Sequence, residues 1–402
     1  MKILKNITVF TMVMLLSVST VLEAREKNIS NFSSSASNLV DSTGTFDGNK
    51  IYADVANNGL FLDYHVSGDS ALEWPKGTGV HSIFQSALWM GATVNGSIRT
   101  IVGDYTQDMG PGPWGGDPLA AVHRIYKVEK SMLASPLDFA DFQEWPVEFG
   151  APWVDVDGDG VYTPLPGGTD HPEFLGDQVL WFVSNDGDPA YKLNFGTSPM
   201  NVEIQTTMFG FDRPDVFGDM VFLKQLVINK GSDDLVDTYM GLWSDPDLGY
   251  AGDDFVGCDV ALGMGYVWND GDDSQYSTLD IGTPAAGYDF FQGPMVPCED
   301  GDSEEVCPTE GAKMFGTRHP GMKNLKMSSF AFYINGDATY TDPSDETEGY
   351  FYLQGLRKDG SAYPAEIAGD LYDQRFCFYG DPNDSAGHST ANPVDGNYAA
   401  SA

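Results

Sequence analysis

The sequence predicts an all-β protein, built as one or more antiparallel β-sandwiches with long Gly/Asp-rich loops and one short helix. Three observations lead there. Apolar and polar residues alternate through Asn201-Val-Glu-Ile-Gln-Thr-Thr-Met-Phe-Gly-Phe and again through Met220–Asn229 and Val236–Trp243, the period of two that turns one strand face toward a core. The 402 residues include 46 Gly and 23 Pro, with 13% aromatic and 42% hydrophobic content, a mixture suited to many short strands joined by tight turns and poor for long helices. Asn95-Gly96 stands between two β-prone runs, Ile83–Val94 and Ser97–Val102, and both residues tolerate the positive φ of a type I′ hairpin turn.

Taken in order, the chain begins with a basic Met1-Lys-Ile-Leu-Lys5, an apolar run from Ile7 to Leu22 and the small Ala24. That succession reads as a secretory signal peptide over 1–24, the rival being an uncleaved anchor. Residues 25–47 are polar, Ser-rich and aperiodic, and read as a flexible leader. An N-terminal β region is expected over 48–199 and a β-sandwich region with acidic loops over 200–395, with a tail at 396–402. Within the first region, strands are expected near Arg124–Glu129 and over Gln178–Asn185. A short helix is expected over Ser135–Trp145, with Ser135 as N-cap, Pro136 at its first position and Pro146 ending it. In the second region the three alternating runs are read as strands of one sheet, and later strands are expected over 328–335 and 350–356.

The formal charge of −38 moves only to about −39 on removal of 1–24. Such a surface repels nucleic acid and anionic lipid and gathers divalent cations. Of the four cysteines, Cys298 and Cys307 bracket a polar acidic loop and are expected to pair; for Cys258 and Cys377 the sequence leaves a disulfide and buried thiols both open. No CxxC occurs, which argues against zinc.

The stretch with the most chemistry in it is Asp155-Val-Asp157-Gly-Asp159-Gly160-Val161. Carboxylates at every second position followed by glycine wrap oxygen ligands around a hard cation, and the expected cofactor is Ca2+. Val161 would offer its carbonyl and Thr163 would act through water. The twelfth position is Pro166 where an EF-hand carries Glu, and no entering helix precedes the loop. The last ligand is therefore sought farther on, at Asp170, Glu173 or Asp177. A solvated Asp/Gly turn is the competing reading. A second, irregular acidic set, Asp245, Asp247, Asp253, Asp254 and Asp259, is a weaker candidate cation site, with a solvated acidic rim as its alternative.

Five motifs occur together: Trp145-Pro-Val-Glu-Phe-Gly-Ala-Pro, Val154-Asp-Val-Asp-Gly-Asp-Gly-Val-Tyr, Leu175-Gly-Asp-Gln, Leu242-Trp-Ser-Asp-Pro-Asp-Leu-Gly and Gly287-Tyr-Asp-Phe-Phe-Gln-Gly-Pro. In this combination the chain resembles a family of uncharacterised secreted proteins from Bacteroidetes-related bacteria. The resemblance spans most of 48–385. It implies export and, in longer members, fibronectin-like modules and a C-terminal type IX secretion sorting domain; it implies no activity. The final Asp395–Ala402 lacks such a domain and reads as a truncation.

Catalytic motifs are sparse. Gly68-Asp69-Ser70 superficially matches a GDSL esterase block, but Asp384-Ser-Ala-Gly-His388 is one residue too long for its partner, so a turn is expected. The six histidines form no HExxH. Trp74, Trp89, Trp114 and Trp145 lie near expected loops and would suit sugar stacking if exposed. The expectation is an exported, non-catalytic, calcium-stabilised β-sandwich protein at the cell surface or outside the cell, acting as a structural, adhesive or binding module. Its partners would be glycans or proteins, not nucleic acid, with no membrane insertion after signal cleavage. The alternative is a secreted glycan-binding or glycan-hydrolysing protein using the carboxylates of 245–259.

Overall fold

The computed structural model describes residues 43–165, 170–334, 337–369 and 371–382. The signal peptide, most of the leader, Pro166, the Asp384–His388 segment and the 396–402 tail lie outside the described residues. The fold is all-β and antiparallel, as the alternation predicts. A first sheet runs β1 (Thr43–Phe46), β2 (Tyr52–Ala56), β3 (Leu72–Glu73) and β4 (His81–Ile83). A second has β5 (Gln85–Val94) at its centre, flanked by β6 (Ser97–Ile101) and β14 (Val236–Asp245). The third is centred on β11 (Gln178–Asn185), which pairs β12 (Val202–Gly210) on one side and shares its other edge between β7 (Gly110–Pro111) and β8 (Tyr126–Glu129). β13 (Phe222–Asn229) completes it beyond β12.

The first two sheets pack on the third. Phe46, Ala53, Val55 and Ile83 meet Leu180, Phe182 and Met208 in one cluster. Leu88, Met90, Ala92 and Val94 of β5 meet Val202 and Ile204 in another. Strands β5 and β11 are buried on both faces, which explains why they read as nearly continuous apolar runs. The alternate residues Val179, Trp181 and Val183 face outward from the sandwich and are covered by Phe142, Trp145 and Ala151 of the 130–162 segment. On the opposite side, Ala87 and Trp89 are covered by Phe332, Tyr333, Tyr352 and Tyr363. Each outer layer is therefore a loop-rich sheath on a buried strand. Smaller sheets follow: β9 (Trp153–Val154) with β10 (His171–Pro172); β15 (Asp254–Asp259), β16 (Met264–Asn269) and β17 (Ala286–Asp289); β18 (Met295–Pro297) with β21 (Met322–Asn324); and β19 (Ala312–Met314) with β20 (Thr317–His319).

The hairpin at Asn95-Gly96 forms between β5 and β6, with φ of 51° and 81° at the two turn residues. The Cys298–Cys307 disulfide also forms, while Cys258 and Cys377 are buried thiols. Several expectations are corrected. Order extends into the expected leader, because Phe46 is fully buried and β1 pairs with β2. The expected break at 199/200 does not part the sheets, since β11 and β12 pair across it. β14 leaves the β12–β13 sheet for β5, a choice alternation cannot encode because it fixes the buried face and not the neighbour.

The helix content also differs. The expected 135–145 helix is a 3-10 turn over Pro136–Asp138 and a single-turn α1 (Ala140–Gln143), with no side-chain cap from Ser135. Among the described residues of the expected 328–335 strand, the pairing is a bridge at Phe330 to Phe376. The expected strand over 350–356 is largely α2 (Glu346–Leu353), capped by Asp345, whose carboxylate accepts from the Thr347 and Glu348 backbones. A third helix, α3, spans Ala365–Ala368. Among the described residues, no helix is long and apolar enough to cross a membrane.

Candidate cation site

The Asp155–Asp170 loop is inserted between β9 and β10, whose pairing of Trp153 with Pro172 and Val154 with His171 brings its ends together. The base of the loop is anchored in the sheath. Trp145 Nε1 donates to the Pro152 carbonyl at 3.0 Å, and the Tyr162 hydroxyl donates to the Phe142 carbonyl at 2.6 Å. Trp153 and Tyr162 meet edge to face, 5.6 Å between ring centres.

Within the loop, each aspartate accepts from nearby backbone. Asp155 accepts from Gly158 N at 2.7 Å and Gly160 N at 2.9 Å, Asp157 from Asp159 N at 3.1 Å, and Asp159 from Val161 N at 2.7 Å. These Asx turns need backbone in the left-handed region, which Gly158 and Gly160 both supply at φ 77°. Asp170 reaches in from the far end of the loop, 1% exposed, and accepts from Val156 N at 2.9 Å and Thr163 N at 2.8 Å. One oxygen from each of Asp155, Asp157, Asp159 and Asp170 lies within 4.8 Å of all the others. Calcium–oxygen bonds are about 2.3–2.6 Å, so ligands on opposite sides of the ion are about 5 Å apart and the four oxygens fit one such sphere. No lysine, arginine or histidine among the described residues forms an ion pair with any of the four.

The other candidates for this site are engaged differently. Val161 is exposed and its carbonyl accepts from the Thr163 hydroxyl at 3.4 Å, while Thr163 touches the group through its backbone. Asp177 accepts from Asp212 N at 3.0 Å beside β11, and Glu173 is 3.9 Å from Lys224.

The second acidic set is dispersed. Asp245 is fully buried and accepts from the Tyr105 hydroxyl at 2.9 Å. Asp254, also fully buried, accepts from Leu248 N at 2.8 Å, and burial, with Asp247, Asp253 and Asp273 adding repulsion, pushes its carboxyl up to about 8. Asp253 accepts from Asn269 at 2.7 Å, and Asp259 accepts from Leu262 N at 2.9 Å in the β15–β16 turn. Among the described residues, only the Asp155 group brings three or more potential ligands together. Of the tryptophans considered for sugar stacking, Trp89 and Trp145 are core residues and Trp114 is 42% exposed.

Two acidic features carry no sequence signal. Lys192, 1% exposed at its side chain, donates to Asp108 at 2.8 Å and lies 4.0 Å from Asp186. Asp104 is pushed up to about 7 by burial, the nearby Asp342 charge adding to it while Asn194 and the Thr106 backbone oppose. Both Lys192 and Asp104 stand in polar-looking stretches with no periodicity to mark them as internal. No family model, curated protein or solved structure matches the chain.

Proposed function

We propose that this chain is an exported, non-catalytic β-sandwich protein whose Asp155–Asp170 loop is fastened by a calcium ion. It acts at the cell surface or outside the cell as a structural, adhesive or binding module. The observation that carries the calcium reading is the convergence of four carboxylate oxygens within 4.8 Å. Four negative charges at that spacing repel one another, and a divalent cation relieves the repulsion while joining residues 155–159 to the buried Asp170. Waters would complete the six to eight oxygens that calcium takes. The signal-like residues 1–24 and the motif resemblance to secreted proteins of Bacteroidetes-related bacteria support export, and the type IX route is part of that proposal.

Calcium titration by calorimetry tests the reading. The full chain from residue 25 is expected to bind one calcium ion, and an Asp157→Asn, Asp159→Asn variant is expected to lose that heat. A parent protein that gives no heat with calcium removes the calcium role. Export is checked separately, by joining residues 1–24 to a reporter and following its release.

A further inference from the structure

Away from the aspartate loop, a cavity of about 250 Å³ opens between β14, the β15–β17 sheet and the 325–333 segment. Its walls are largely aromatic and aliphatic, with Trp243, Tyr266, Phe290, Phe330 and Leu353 among them. That volume exceeds the roughly 150 Å³ of an apolar cavity that accepts benzene, so a medium-length hydrocarbon fits. The polar groups on the lining are mostly hydroxyls, from Ser244, Ser328, Ser329 and several tyrosines. Ser244 and Tyr288 line the cavity, and their hydroxyls are 3.1 Å apart. Ser86, fully buried behind them, bonds to both. Burial pushes the Tyr288 phenol up to about 12, so it stays a neutral donor.

The charge on the lining is unusual for this chain. No aspartate or glutamate lines the cavity, and Lys326 does. The protein has 59 acidic against 21 basic residues, and most described basic side chains have an acidic partner or a backbone carbonyl to bond. Lys326 is exposed and has no ion pair among the described residues. A lone cation beside an apolar cavity favours a singly charged amphiphile, while the surrounding acidity disfavours polyanions.

We propose that this cavity binds an apolar monocarboxylate, its hydrocarbon among the aromatic walls and its carboxylate on Lys326. The site is separate from the cation loop and does not depend on it. The test follows quenching of tryptophan emission, since Trp89 and Trp243 both line the cavity. The full chain from residue 25 is titrated in chelator with decanoate, decanol and decylamine, each below its micelle concentration. Decanoate is expected to bind saturably and at least tenfold more tightly than decanol, with decylamine weakest. Lys326→Glu, a surface change checked for an unaltered melting temperature, is expected to weaken decanoate at least tenfold and leave decanol unchanged. Ala286→Trp, which fills the cavity, is expected to abolish both. Equal binding of decanoate and decanol, or an unchanged decanoate affinity in Lys326→Glu, overturns the carboxylate recognition. The absence of saturable binding by any of the three overturns the site.

Discussion

Asp108 and Asp186 are buried within reach of Lys192, whose ammonium also donates to the Thr100 carbonyl at 2.5 Å. Asp155, Asp157, Asp159 and Asp170 also crowd together but pair with no cationic side chain among the described residues. The first cluster is closed: its positive charge is covalently part of the fold, and Asp186 further accepts from Met200 N and Val202 N at 2.7 Å. The second is open on its exposed side and held only by backbone donors. Buried acids had to be neutralised for the chain to fold at all. Three of the loop acids stay wet, so their neutralisation can wait for an ion from solution.

The largest expected effect separates the clusters from the closed side. Lys192→Met strands Asp108 and Asp186 in the interior, and should cost about 3–5 kcal/mol in urea unfolding, with or without calcium. A loss below about 1 kcal/mol would show that the internal cation is not what holds that cluster. Next, Asp170→Ala deletes two bonds that tie the two halves of the loop, and should cost about 1–3 kcal/mol even in chelator. Gly158→Ala meets no atom within 4 Å, so its penalty is conformational alone, about 1–2 kcal/mol for left-handed backbone at a non-glycine residue. A larger loss would mean that the loop packs more closely than its exposure indicates.

A further expected effect concerns pH. Asp104, pushed up to about 7, keeps its proton in the folded state over a range where the unfolded chain has lost it. Its contribution is fully present below about pH 4, the ordinary aspartate range, and is lost as pH rises through about 7. Melting temperature should therefore decline between pH 5 and pH 8, and Asp104→Asn should flatten that decline. A variant whose slope matches the parent would assign the decline to other groups.

Much of this was legible in the sequence, for a physical reason. The quartet could be read because Asx turns and cation ligation both impose alternate spacing, and Asp170 was among the few acids near enough to close the loop. The Asn95-Gly96 hairpin was readable because its turn needs positive φ at two successive residues. Helix α2 was misread as a strand through the aromatic Tyr350-Phe-Tyr, although Asp345 followed by Glu348 is the D-x-x-E pattern of a capped helix start. The move of β14 to β5, the burial of Asp108 and Lys192 and the partial burial of Asp104 were not legible, because they depend on contacts far apart along the chain.

The difference between the closed and open clusters is tested most directly by thermal unfolding of the chain from residue 25, in calcium and in chelator, beside the Asp157→Ala, Asp159→Ala double variant. A hundredfold excess of calcium over its Kd should stabilise the parent by about 2.7 kcal/mol and raise its Tm. The variant should show no such rise, its Tm being the same in calcium and in chelator. A parent Tm that is the same in calcium and in chelator would contradict the account and leave the loop a solvated acidic turn.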